Sequence, residues 1–115
     1  MEAKSPHARP VPRILLYIPY TKFASKLAET LAEHAFAVAT SADRSQLAAA
    51  LRSDRYDAIV TGTAHVAEVR AISINPIINY EVFVHKHPMD PEMPDGNRSY
   101  FDVDDFVSRI RFHVR

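Results

Sequence analysis

Arg13-Ile14-Leu15-Leu16-Tyr17-Ile18, closed by Pro19, is the stretch on which the fold turns. The run is apolar throughout, with no polar position alternating into it. A strand with one wet face alternates; a strand buried on both faces does not, and strands of that second kind sit in the middle of parallel sheets covered by helices. Parallel neighbours cannot be joined by a hairpin, so a crossover must follow each strand.

The flanking sequence has that rhythm. After Pro19, Thr21 can cap a segment in which Phe23, Leu27 and Leu31 recur every four residues, beside Ala24, Ala28, Ala32 and Ala35. Lys22, Lys26, Glu29 and Glu33 point elsewhere, which predicts an amphipathic helix of about four turns. Residues 36–40 form a weaker second strand near a sheet edge. Asp43 and Gln46 then stand in capping-box spacing before a helix carrying Leu47 and Leu51. Residues 56–61 form the third strand, residues 65–72 a short helix closed before Asn75-Pro76, and residues 80–85 the fourth strand. "PMDPEMPDG", residues 88–96, holds three prolines and predicts a rigid loop where one more helix is due. Tyr100-Phe101 closes a short fifth strand. The last helix starts among Asp102, Asp104 and Asp105 and ends among Arg109, Arg111 and Arg115, which complements its macrodipole. Val103, Phe106, Val107 and Ile110 are its buried stripe.

Strands alternating with helices make a doubly wound α/β fold of flavodoxin-like type: five parallel strands in the order 2-1-3-4-5 with helices on both faces. Its sites lie at the carboxyl ends of the strands flanking the switch point. The domain occupies residues 13–115; residues 1–12, rich in proline and cations, read as a disordered lead-in and not as a signal or anchor.

The composition of the 115 residues is that of a soluble globular domain. Fourteen Lys plus Arg offset fourteen Asp plus Glu, so no global charge draws the chain to nucleic acid or anionic lipid. No apolar stretch has the length of a membrane span. Cysteine is absent, which removes disulfides, thiolate nucleophiles and Cys-ligated zinc and fits a cytoplasmic protein.

"RILLYI", "YDAIVTG" and "FDVDDFVSRIRFHVR" resemble, in order, the first strand, third strand and last helix of response-regulator receiver domains. The last stretch is similar to that family's Lys-Pro-Phe-Asp run followed by an apolar helix with spaced arginines. The resemblance covers roughly residues 13–115. It implies a two-component signalling module, and it fails at each chemical position. The acidic pair that holds Mg²⁺ in a receiver is matched by Ile18 and Pro19, and the phosphate-accepting Asp by Gly62. The small hydroxyl residue ending the fourth strand is matched by His85, and the Lys-Pro dipeptide by Ser99-Tyr100. The family's fourth helix is matched by the proline-rich loop. Phosphoryl transfer to a carboxylate needs a nucleophile and a divalent cation; glycine and Ile-Pro supply neither. The resemblance thus implies a pseudoreceiver, without catalysis or cofactor, that works through protein partners or as a homodimer.

Two other chemistries have residues to offer. Thr61-Gly62-Thr63 can present hydroxyls and amides to an anion, or can be a tight turn in which glycine takes a positive φ. A flavin would need a glycine- and hydroxyl-rich loop directly after the first strand, where "IPYTKFASK" puts proline and aromatics. His85 and His87 share one side of an extended strand, and His65 ends the neighbouring one, so a His-rich metal site is a weak alternative. The arginines of the last helix read as a solvated face. Phe112 lies opposite the buried stripe, next to Ser108 and Arg109, and with edge-strand Tyr100 outlines a candidate interaction face.

Overall fold

The computed structural model describes residues 11–86 and 99–114. The N-terminal lead-in up to residue 10, the proline-rich loop, His87 and Arg115 lie outside the described residues. Strands β1 (Arg13–Tyr17), β2 (Ala37–Ser41), β3 (Ala58–Thr61) and β4 (Ile77–Asn79) form a parallel sheet of order β2-β1-β3-β4. Tyr17 is aligned with Ser41 on one side and with Thr61 on the other, so the three strands end level.

The unbroken apolar run of β1 does what its composition requires. Ile14, Leu16 and Ile18 face one layer, with α1 (Thr21–Glu33) and α4 (Val103–His113) packed on them through Leu27, Leu31, Phe106 and Ile110. Leu15 and Tyr17 face the other, against Leu47 of α2 (Arg44–Ser53) and Val69 of α3 (Val66–Arg70). Ile14, Leu15 and Leu16 have no exposed surface, each a burial worth about 1.5–3 kcal/mol. β2 exposes Ala37 and Thr40, as an edge strand does.

Helix ends follow local chemistry. The Asp43 carboxylate accepts the Gln46 amide at 2.8 Å, and Gln46 Oε1 reaches back to the Ala42 amide at 2.7 Å. This is the expected capping box, displaced by one residue in its second bond. Thr21 is the first residue of α1 and not its cap; Tyr20 holds the cap position and supplies no side-chain hydrogen bond. The same helix ends in a Schellman arrangement. Phe36 N–H donates to Leu31 O and Ala35 N–H to Ala32 O, with Ala35 at φ 69° where glycine is usual. Leu31 and Phe36 are buried together, and that contact holds the strained alanine in place.

The main departure from expectation is in the fourth and fifth strands. β4 occupies Ile77–Asn79, earlier than the expected residues 80–85. The Asn79 side chain accepts the Glu81 amide at 2.9 Å and turns the chain into a 3₁₀ segment, Tyr80–Phe83. Phe83 is buried in the turn, and the chain leaves the sheet. Val84–Lys86 (β5) then pairs antiparallel with Ser99–Phe101 (β6), so Tyr100-Phe101 joins a separate two-stranded ribbon and not the parallel sheet. α3 also ends at Arg70, before the expected boundary, with Ser73 N–H donating to Val69 O. No helix among the described residues is long and apolar enough to cross a membrane.

Candidate functional site

The carboxyl edge of the sheet gathers most residues that carry chemistry. β3 delivers Thr61-Gly62-Thr63 to it, and the corner between β3 and β4 is closed by side chains from the Asn79 turn. Gly62 has φ −95° and ψ 168°, an ordinary extended conformation. The tight turn with positive φ is therefore not why glycine stands there. Space is: a Cβ on Gly62 would lie 2.5 Å from Glu81 Oε2 and 3.2 Å from the Tyr80 ring edge and hydroxyl.

The Glu81 carboxylate fills this corner and is held by it. Thr63 N–H, the first amide of a 3₁₀ turn, donates to Glu81 Oε2 at 3.0 Å. Asn79 Nδ2 donates to Thr63 Oγ1 at 2.7 Å, while its Oδ1 takes the Glu81 amide. The amide that an external anion would use is thus occupied by the protein's own carboxylate. Thr61 is fully buried and its hydroxyl donates to the Tyr17 carbonyl at 2.8 Å, so it ties β3 to β1 and faces no ligand space. Burial of the neighbouring Tyr80 phenol raises its pKa, and the Glu81 charge adds to the rise.

On the opposite face, below the same strand ends, a second polar group joins Tyr17, His65, Glu68 and Arg44. Tyr17 OH donates to Glu68 Oε2 at 3.0 Å, and His65 Nδ1 lies 3.1 Å from Glu68 Oε1. The His65 ring packs edge-on against Tyr17, with centroids 5.3 Å apart. Burial, then the Glu68 hydrogen bond, push the Tyr17 phenol up to about 12. The His65 hydrogen bond is the main cause that holds the Glu68 carboxyl below its ordinary value.

The other candidate residues are dispersed. Ile18 is buried in the core and Pro19 is exposed, so the pair after β1 presents no oxygen ligand from its side chains. His85 lies on β5, 3.9 Å from the Asp102 carboxylate and beside the Tyr100 ring. His65 and His85 therefore have separate partners, and no group of three metal-ligating side chains converges among the described residues. Ser99 opens β6, on the ribbon. Ser108, Arg109 and Phe112 occupy the outer side of α4, and Phe112 is 62% and Tyr100 45% exposed.

No motif in the sequence singles out Glu81, Asn79, Tyr80, Tyr17 or Glu68. Asn79 two residues before Glu81, in the spacing of an Asx turn, is the signal that could have found the first pair.

Fold and site together define the class: an α/β protein whose parallel sheet of order 2-1-3-4 carries helices on both faces, compatible with a flavodoxin-like fold. Compared with known families and with curated proteins, the sequence matches no family model and no curated relative.

Proposed function

We propose that the chain is a receiver-like signalling module that accepts no phosphate and acts through protein–protein contacts. The observation that carries this reading is the corner at Gly62. Where the receiver resemblance puts an acceptor aspartate, the backbone has no side chain, and the Glu81 carboxylate stands in the space bonded to the Thr63 amide. An anion already installed there opposes the approach of a phosphoryl group, and Ile18-Pro19 offers no carboxylate to gather Mg²⁺. Output then comes from a fixed surface, and outer α4 with Tyr100 is the face we assign to it, in a homodimer or with a signalling partner.

Incubation with acetyl phosphate and Mg²⁺, followed by intact-mass measurement, tests the chemistry. The mass is expected to stay unchanged, and a phosphoryl gain on an aspartate at the carboxyl edge would overturn the reading. Size-exclusion chromatography with light scattering tests the contact. A dimer that Phe112→Asp converts to monomer is expected, whereas a wild-type monomer that binds no protein partner would remove this part.

A further inference from the structure

We propose that the lateral edge of β4 pairs with the β4 edge of a second copy of the chain, antiparallel about a twofold axis. Two four-stranded parallel sheets then run on into one. The inference rests on the reading of the chain as a protein-contact module, and it names both the partner and the strand that meets it.

β4 ends the order β2-β1-β3-β4, and the chain turns away at Asn79 instead of supplying a fifth strand. The inner side of β4 is fixed by β3: Ile59 stands level with Ile77, and Ile59 N–H donates to the Pro76 carbonyl. Pro76 and Ile78 therefore turn their backbone groups to β3, and Ile77 and Asn79 turn theirs outward. The N–H and C=O of Ile77 and the N–H of Asn79 have no partner among the described residues. Exposed edges are usually blunted by lysine, proline or a bulge. β4 is Ile77-Ile78-Asn79 and has none of these, and the donor that Pro76 lacks belongs to the β3 side.

The surroundings of this edge complement themselves. With the axis opposite Ile78, Ile77 faces the partner's Asn79, and the Ile77 carbonyl accepts the partner's Asn79 N–H, twice over by symmetry. Ile74 and Val82 lie four residues to either side of Ile78, beyond the two ends of β4. They are 97% and 62% exposed, and the twofold carries Ile74 of each copy toward Val82 of the other. A groove of about 330 Å³ lies between β4 and α4, lined at successive helix turns by Asp105, Arg109 and His113. Asp105 and Arg109 have the spacing of a helix ion pair, yet neither makes an ion pair among the described residues. The twofold sets α4 antiparallel to its counterpart, so the acid of one helix meets the base of the other. A second copy thus answers backbone, apolar ends and charges together. β4 against β4 also closes at two chains, whereas β4 against β2, the other lateral edge, would propagate.

Sedimentation of the full chain tests this, with a dimer expected. Asp105 and Arg109 are exposed, so charge changes there leave the core alone. Arg109→Asp and Asp105→Arg each put like charges across the axis, and each should weaken the dimer roughly tenfold or more. Mixed in equal amounts they should restore it, because one chain then carries two acids and the other two bases. Ile74→Asp should weaken the dimer by a similar factor. In the wild-type dimer, the outward amides of Ile77 and Asn79 should exchange hydrogen as slowly as the inward amide of Ile78. Free exchange at Ile77 and Asn79, in a dimer that Phe112→Asp still breaks, would overturn the strand pairing and leave the contact face on outer α4 standing. Charge variants that stay apart on mixing would overturn it too. So would a monomeric wild type or an open-ended assembly; the contact-module reading itself then falls only if no protein partner binds.

Discussion

Two corners of one sheet edge treat their polar groups in opposite ways. At the β3–β4 corner, Glu81, Thr63 and Asn79 hydrogen-bond one another, and glycine leaves the space that lets them meet. At the β1–β2 corner, the buried Ser41 hydroxyl has no hydrogen-bond partner among the described residues, and α1 starts without a side-chain cap. The strands end level, so the difference does not come from the sheet. It comes from the segment after the strand: an Asx turn that folds back over the edge beyond β4, and a helix that starts without a cap beyond β1. The β3–β4 corner is closed by its own side chains, and the β1–β2 corner is left open in that respect.

The two buried hydroxyls test this contrast most directly. Thr61→Val removes a donor and leaves its shape, so the Tyr17 carbonyl loses a partner in a buried site. A cost of about 1–3 kcal/mol is expected in denaturant unfolding. A loss below about 0.5 kcal/mol would mean that this hydroxyl is no more needed than its counterpart at the open corner.

Gly62→Ala should cost less, about 1 kcal/mol, because the atom it strikes is the end of a flexible, exposed side chain. The backbone at Gly62 can accept alanine, so the cost is steric and lies with Glu81 and Tyr80. A double-mutant cycle with Glu81→Ala separates the two: most of the penalty should vanish once the carboxylate is gone. An unchanged penalty would place the conflict on Tyr80 and weaken the description of Glu81 as the occupant of the corner.

Tyr17 ties the strand ends together, with its carbonyl bonded to Thr61 and its phenol to Glu68. Its folded pKa of about 12 lies above the ordinary 10.0. The folded state therefore holds the phenol's proton more tightly than the unfolded chain does. Its contribution to stability is therefore fully present below pH 10.0, and it falls as pH rises from 10.0 through about 12, where the unfolded chain releases a proton that the fold still holds. The hydrogen bond from the neutral phenol to Glu68 is lost over the same range. Glu68 acts in the opposite sense. Its folded value lies below the ordinary 4.5, so its contribution is present above pH 4.5 and fades as pH falls through the lower folded value. Ultraviolet titration should show one tyrosine ionising near 12 that Tyr17→Phe removes. Ionisation of that residue at an ordinary pKa would refute its bond to Glu68.

What could be read in advance divides along the same lines. The apolar run of β1 and the stripe of α4 report burial, the strongest signal a sequence carries, and both elements stand where that signal puts them. Asp43 and Gln46 cap α2 because capping is local. The end of β4 was not legible. "IINYEVFVH" is mostly apolar, and an apolar run does not say where a buried strand stops; the Asn79 side chain decides that. The end of α1 was hidden for a related reason, since an alanine holds the position that glycine usually marks. With β4 misplaced, Glu81 reads as a strand residue, and its role at Gly62 stays out of sight. Ser41 was invisible for a simpler reason: a serine at a strand end says nothing about whether its hydroxyl is matched.

The smallest expected effect is the most discriminating. Ser41→Ala deletes a buried hydroxyl that has no protein partner among the described residues, so no bond is broken and no acceptor is stranded. The change should alter unfolding stability by no more than about 0.5 kcal/mol, in either direction. A Ser41→Ala cost comparable to that of Thr61→Val in buffer alone would mean that the hydroxyl is already satisfied within the protein. The two corners would then be alike, each with its buried hydroxyl matched inside the protein.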